Sequence, residues 1–393
     1  MNQIKPQSSS AIIIIGSGLA GYTLVREIRK INKVIPITLI TREPGYFYSK
    51  PMLSTAFASK KEAAQLISTV TEAMAAQLEI SILPQTDVSA IDATQKLVVS
   101  NKGEIAYDKL VLALGADQIR VPLQGNAANE VMTVNDLEEY AQFRNAISNK
   151  KKIAILGAGL IGCEFANDLT LGGFEVDVID LAPHVLGRLI PETAASTLQA
   201  KLSQAGVRWH FNTTAQSINR TGDILDVALA NGSNITCDFV LSAVGLKPRV
   251  DLAQASGINT GIGIQVNREL QTNLSDIYAL GDCAEVEGLV LPYVLPLMAG
   301  ARALAKTLSG QTTVISYPVM PVQVKTPVCA VVVAPTFPSM QGEWTVDSQD
   351  GNNVKALFKN ADGQLLAYAL TGTFAGDAAL KAELVKQVPA WLA

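Results

Sequence analysis

Two glycine-rich turns constrain this chain more than any other feature in it. Residues 16–21 read GSGLAG and residues 157–162 read GAGLIG. Before the first stands AIIII (11–15), an all-apolar, β-branched run of the kind found in strands buried on both faces. Gly16 permits a tight turn, Gly18 lets the backbone approach a pyrophosphate, and Gly21 lets helix pack on strand. The helix predicted over about 19–30 turns its free N-terminal N–H groups toward the phosphate. Gly16, Ser17, Gly18, Leu19, Ala20 and Gly21 therefore form one candidate dinucleotide loop. A second strand, PITLIT (36–41), follows at βαβ distance. Glu43 is the acid to meet a ribose hydroxyl, slightly later than the usual spacing of about 20 residues.

The second unit repeats the pattern. KIAIL (152–156) is the strand, Gly157, Gly159 and Gly162 fill the three positions, and Gly172-Gly173 stops the helix. EVDVID (175–180) is the next strand, and Asp180 stands where an acid meets the adenine ribose of NAD. No arginine lies in 181–187 to take a 2′-phosphate, which favours NADH over NADPH. One such turn is a weak signal; two complete strand–helix–strand units predict two bound dinucleotides, a flavin and a nicotinamide.

Composition sets the outer limits. A chain of 393 residues is long for one core and predicts two or three domains. Its 48% hydrophobic and 17% charged residues are those of a globular protein, and a formal charge of −4 argues against a nucleic-acid binder. The apolar stretch GLVLPYVLPLMAGA (288–301) is too short to span a bilayer and holds two prolines, so no membrane insertion is expected. Lys5 followed by AIIII could begin a signal peptide, but GSGLAG comes next, and a buried strand feeding a glycine turn is the better reading. The four cysteines (163, 237, 283, 329) show no CxxC spacing, and His184 and His210 are too few for a zinc site. They read as small buried thiols and ordinary histidines, with no metal site, in a reducing cytoplasmic compartment.

Four further stretches carry a family resemblance. LVLALGA (110–116) and VLSAVGLKPR (240–249), with Gly115 and Gly245, resemble the segments that connect the nucleotide domains of FAD-dependent two-dinucleotide reductases. IYALGDCAE (277–285) resembles the motif in which an aspartate, here Asp282, bonds a ribityl hydroxyl of FAD. YSKPMLS (48–54) resembles the segment that sets a lysine, here Lys50, beside the flavin ring. Together with GAGLIGCEFANDL and MPVQVKTPVC these identify the chain as resembling the rubredoxin reductases. The resemblance implies an α/β fold of two Rossmann-like domains, for FAD and NADH, plus a small mixed α+β C-terminal domain. FAD would bind to 1–118 with 247–313, NADH to 119–246, and 314–393 would form the third domain, with strands near 322–325, 330–334 and 354–358. A simple oligomerisation module is the alternative for that tail; monomer and dimer both remain open.

The same resemblance implies site roles. A helix beginning near Tyr293 would direct the Val294 N–H at the flavin oxygen where reduced flavin carries charge. Glu164 would pair with Lys50 near the flavin and nicotinamide, the two acting by position and electrostatics; the plainer alternative is an acid in the first helical turn complementing the macrodipole. Lys325 is carried over as a flavin neighbour, against a solvated edge-strand lysine. No cysteine occurs in residues 1–162, where related enzymes carry a redox-active one, and no CxxC could hold iron. Electrons should leave the flavin directly, for iron on a partner. The expected function is NADH-dependent reduction of rubredoxin for an alkane-hydroxylating system. The alternatives are an NADH:ferredoxin reductase of an oxygenase chain, an NADH oxidase and a redox-sensing flavoprotein.

Overall fold

A computed structural model of the chain describes residues 10–351 and 353–393; Lys5 lies outside them. The AIIII run is the centre of a seven-stranded sheet. Strands Ser81–Leu83, Ile37–Ile40, Ser10–Ile15, Gly103–Leu112 and Ile277–Ala279 run parallel, and Gly103–Leu112 is long enough to join an antiparallel meander with Leu97–Ser100 and Val88–Asp92. Ile12, Ile13 and Ile14 are fully buried because the sheet is covered on both faces. Helix Leu19–Ile31 and helix Val294–Leu308 pack into the same core. Strand Ile277–Ala279 and helix Val294–Leu308 thus return to the first sheet and helix after the chain has built a second unit between them.

That second unit is a parallel sheet in the order Val207–His210, Glu175–Ile179, Lys152–Leu156, Phe239–Ser242, with the antiparallel sheet Ala215–Thr221, Ile224–Leu229, Asn234–Cys237 beside it. Helix Leu160–Leu171 ends at Gly172, as the glycine pair predicts. The two crossings between units pair with each other: Leu246–Pro248 lies antiparallel to Ala116–Gln118.

The C-terminal part is an antiparallel five-stranded sheet, Val322–Val324, Val331–Ala334, Leu365–Thr371, Asn353–Lys359, Glu343–Asp350. Three of these strands match the predicted ones and two were not foreseen. Glu343–Asp350 (EWTVDSQD) is a mostly exposed edge strand whose apolar face is only Trp344 and Val346, too short an alternation to give it away. Leu365–Thr371 (LLAYALT) is buried throughout most of its length, but Leu and Ala favour helix as readily as strand, so only its neighbours decide it. Among the described residues no helix is long and apolar enough to cross a membrane.

Candidate functional site: two dinucleotide cradles and a three-way junction

Both glycine turns take the geometry a pyrophosphate needs. Gly16 has φ +120°, and a Cβ there would lie 2.1 Å from the Ala113 carbonyl oxygen; Gly157 has φ +106°, and a Cβ would lie 2.6 Å from that of Ala243. A Cβ on Gly21 or Gly162 would sit 1.9 Å from the carbonyl oxygen of Gly16 or Gly157, so each helix rests directly on its own turn. By contrast, a Cβ on Gly18 or Gly159 would meet nothing within 4 Å. The middle glycine faces open space, where bulk would obstruct a phosphate. Both helices start there, Gly18 and Gly159 being their N-caps, without a side-chain cap or an acid in the first turn. Their N-terminal N–H groups are left for an anion.

The remaining predicted residues gather around these turns. Ser17 donates to Thr41 Oγ1 (2.8 Å), tying the first loop to the end of the second strand. Gly281 has φ +81°, and a Cβ there would lie 2.9 Å from Ala20, so the GDC turn is seated on the first helix. This brings Asp282 to the first cradle. Its carboxyl makes no hydrogen bond to the described residues, and burial pushes its pKa up against the opposing charges of Lys50 and Arg249. Burial drives the Lys50 pKa down, with the Asp282 charge opposing it. A buried carboxyl left unbonded beside the first cradle fits the acceptor that a ligand hydroxyl needs. Val294 opens its helix, also uncapped by a side chain. Glu43 lines a cavity of about 220 Å³ with Tyr48, Leu137 and Asp136, and burial followed by Asp136 raises its pKa. Gly115 (φ +71°) accepts from the Arg249 N–H (3.0 Å), and Gly245 (φ +131°) accepts from Ile119 N–H (3.0 Å), so both stand at the domain crossing. Asp180 accepts from Ala158 N–H in the second glycine turn and from Ala182 N–H in its own loop.

Two expectations are corrected. Lys50 and Glu164 do not pair: Lys50 Nζ donates to Asn135 Oδ1 (2.7 Å), and Glu164 pairs with Lys325. Nor is Glu164 in the first helical turn; it is the fifth residue of Leu160–Leu171, too far in for its place to be a macrodipole complement. It is instead the centre of a junction of three parts of the chain. Ser54, from the short 3₁₀ helix Lys50–Thr55, donates to Glu164 Oε2 (2.6 Å). From the C-terminal domain, the Lys325 backbone N–H donates to Glu164 Oε1 (2.9 Å), and Lys325 Nζ reaches both Glu164 and Ser54 Oγ (2.9 Å). The sequence did not single out Ser54, Asn135 or Asp168 because each acquires its role from partners 85 to 271 residues away. The YSKPMLS and GAGLIGCEFANDL motifs contain Ser54 and Asp168, but motif membership assigns neither a partner.

All four cysteines are free and buried. Burial pushes the thiol of Cys163 well above its ordinary range, Cys237 up to about 12, Cys283 up to about 11 and Cys329 upward as well. Neutral buried thiols are poor nucleophiles.

The chain is 49% identical over 381 residues to a rubredoxin–NAD(+) reductase of Alcanivorax borkumensis, covering 96% of this chain and 98% of that one. It is 45% identical over 387 residues to the Acinetobacter baylyi rubredoxin–NAD(+) reductase, with the same coverage. Residues 10–306 match the pyridine nucleotide-disulphide oxidoreductase family, and residues 314–388 match the rubredoxin binding C-terminal domain. The chain is a pyridine nucleotide-disulphide oxidoreductase of the rubredoxin–NAD(+) reductase family. Among solved structures it resembles a ferredoxin reductase from Rhodopseudomonas palustris, with a TM-score of 0.84 and 28% identity over 92% of this chain and 91% of that one. Membership implies binding of FAD and NAD, and the two cradles are of the right form for both. The cysteine pair of the family's disulphide reductases has no counterpart among these four separate thiols.

Proposed function

We propose that this chain is a cytoplasmic reductase that oxidises NADH and reduces rubredoxin, supplying an alkane-hydroxylating oxygenase. One observation carries the reading: the C-terminal domain, the part that matches a rubredoxin-binding family, inserts Lys325 into the junction that holds Glu164 and Ser54. An acceptor docked on that domain would be close to the place where the two nucleotide units meet.

Bound FAD supplies the link between a two-electron donor and a one-electron iron acceptor. The chain's own residues bind and orient. In this reading residues 1–118 and 247–313 hold FAD and 119–246 hold NADH. The loop Gly16–Gly21 cradles one pyrophosphate, Asp282 takes a ribityl hydroxyl and Glu43 a ribose hydroxyl. Lys50 supplies positive charge beside the flavin ring, and the Val294 N–H faces the oxygen that gains charge on reduction. Gly157, Gly159 and Gly162 cradle the second pyrophosphate, while Asp180 takes the adenine ribose. Gly115 and Gly245 let the chain cross between the units. Glu164, held by Lys325 and Ser54, borders the nicotinamide. With all thiols buried and neutral, no step uses them.

The likeness to a ferredoxin reductase supports a second reading, with a [2Fe–2S] ferredoxin as acceptor. Stopped-flow reoxidation of the NADH-reduced protein by rubredoxin, by a [2Fe–2S] ferredoxin and by oxygen separates the two. Rubredoxin should be fastest, at a rate that falls as salt rises because charged patches steer the encounter. A faster ferredoxin makes the second reading correct, and oxygen matching both would make the protein an oxidase.

A further inference from the structure

Glu164 and Asp168 stand one turn apart on helix Leu160–Leu171, on one face, each only 2% exposed. Both reach across to the same stretch of chain, Lys50–Ala58. Glu164 accepts from the Ser54 hydroxyl, while Asp168 accepts from two successive backbone amides: Phe57 N–H to Oδ2 (2.8 Å) and Ala58 N–H to Oδ1 (2.9 Å). The stretch has little local order to hold it. Its 3₁₀ helix is six residues long, has no side-chain cap and ends in a turn.

Packing points the same way. Leu53 and Ala56 are buried in the core of the second nucleotide unit, although the sequence around them belongs to the first. The Phe57 ring lies against Gly172, where a Cβ would be 2.5 Å from Cδ1, and meets Phe174 edge-on at 5.0 Å. The Arg144 guanidinium lies over that ring, 4.3 Å from its centroid. Gly172 thus leaves room for Phe57, and Asp168 holds its backbone.

We propose that Asp168 is a positioning residue: it fixes Lys50–Ala58 against the second fingerprint helix and so sets Lys50, Ser54 and Glu164 in register with the nicotinamide. The functional half of this inference rests on the NADH-dependent reductase reading above. The carboxylate does not earn its place through stability. Burial pushes its pKa up to about 6 even though two amides, Arg144 and Lys325 all oppose that shift. A buried charge that is only partly compensated is better explained by the geometry it imposes than by net stabilisation.

Amide hydrogen exchange on the FAD-loaded full chain tests the clamp, and NADH turnover with ferricyanide tests its consequence without any protein acceptor. In Asp168→Asn the amide oxygen can accept from only one of the two N–H groups. Exchange at whichever of Phe57 and Ala58 loses its acceptor should quicken by about tenfold or more, the scale of losing a hydrogen bond to a charged group. Exchange in strands Ser10–Ile15 and Lys152–Leu156 should stay as it was. kcat with ferricyanide should fall by about tenfold with KM for NADH within about twofold, since the nucleotide loop and Asp180 are untouched. Unchanged exchange at both Phe57 and Ala58, a uniform rise throughout the chain, or an unchanged kcat overturns the proposal. If the variant does not accumulate folded protein, the wild type decides. Its Phe57 and Ala58 amides must exchange at least about a hundredfold more slowly than free amides of an exposed loop, and rates like those of free amides overturn it. A wild type that fails to oxidise NADH would sink the reductase reading, while the exchange result would still report on the clamp.

Discussion

The two fingerprint helices begin alike and end in different company. Each rests on a left-handed glycine, leaves its middle glycine facing open space and offers uncapped N–H groups. Beyond that first turn they diverge. Helix Leu19–Ile31 buries Tyr22, Leu24, Val25 and Ile28, and its charged residues, Arg26, Glu27, Arg29 and Lys30, all lie in its second half and off the buried set. Its buried face meets helix Val294–Leu308 by apolar packing. Helix Leu160–Leu171 buries Glu164, Asn167 and Asp168 together with Cys163 and Phe165. These polar groups bond to Ser54, Phe57 and Ala58 from one part of the chain and to Lys325 and Val328 from another. The nucleotide-binding end of such a helix is a local device, repeated with little change. Its flank is what adapts each copy to its setting: apolar where the helix lies inside one unit, and hydrogen-bonded where three parts of the chain must hold one geometry.

The sharpest way to break the likeness between the cradles is at the third glycine. Gly21→Ala and Gly162→Ala each force a Cβ to within 1.9 Å of a backbone oxygen, so the turn or the helix start must move. Gly21→Ala should yield protein largely without FAD, read from the flavin-to-protein absorbance ratio. Gly162→Ala should retain FAD but lose at least about 100-fold in the rate of reduction by NADH, as misplaced reactants do. Equal loss of FAD in both variants would mean that the cradles do not serve separate nucleotides.

The divergent flanks differ in how they respond to pH. Asp168 has a pKa of about 6, raised chiefly by burial from an ordinary 3.8. As pH rises from about 4 to about 6 the unfolded chain ionises this group while the folded one does not, so the stability it contributes falls. The loss should be no more than about 3 kcal/mol, one pKa unit corresponding to about 1.4 kcal/mol. Urea melts across that range should show the slope in the wild type and a shallower one in Asp168→Asn. Parallel curves would mean that Asp168 titrates normally.

A smaller effect separates the acids that follow the second strands. Asp180→Ala should reduce kcat/KM for NADH by about 1–2 kcal/mol, the worth of a hydrogen bond to a charged group, with little effect on FAD content. A wild type equally efficient with NADPH would remove the assignment. Smallest of all, Cys163→Ala and Cys283→Ala should leave NADH-driven turnover within about twofold in folded, FAD-loaded protein, because protonated buried thiols take no part. Loss of turnover in either would reinstate a thiol relay.

Much of the fold could be read without coordinates because the deciding interactions are local. A β-branched apolar run, three glycines at fixed spacing and an apolar helix specify a strand, a turn and a helix start within about 20 residues. The predicted helix over 19–30 is observed over Leu19–Ile31, and the strand 152–156 lies where it was read. The absence of CxxC spacing, likewise local, agrees with four free, buried thiols. Leu365–Thr371 resisted because its composition suits either helix or strand until two neighbouring strands supply its hydrogen bonds.

The junction belongs wholly to the tertiary structure. In sequence, Glu164 is an acid near a helix start, and the family resemblance alone pairs it with the Lys50 of YSKPMLS. In the fold the carboxylate receives Lys325 from 161 residues away, and Lys50 turns to Asn135. A buried carboxylate takes whichever donors the packing brings within reach, and three separate parts of the chain decide which those are. Spacing along the chain determines that two cradles form, since each closes its own hydrogen bonds within one βαβ unit. It carries no information about which flank of one helix meets Ser54, Phe57 and Lys325, because those contacts exist only once the units have packed.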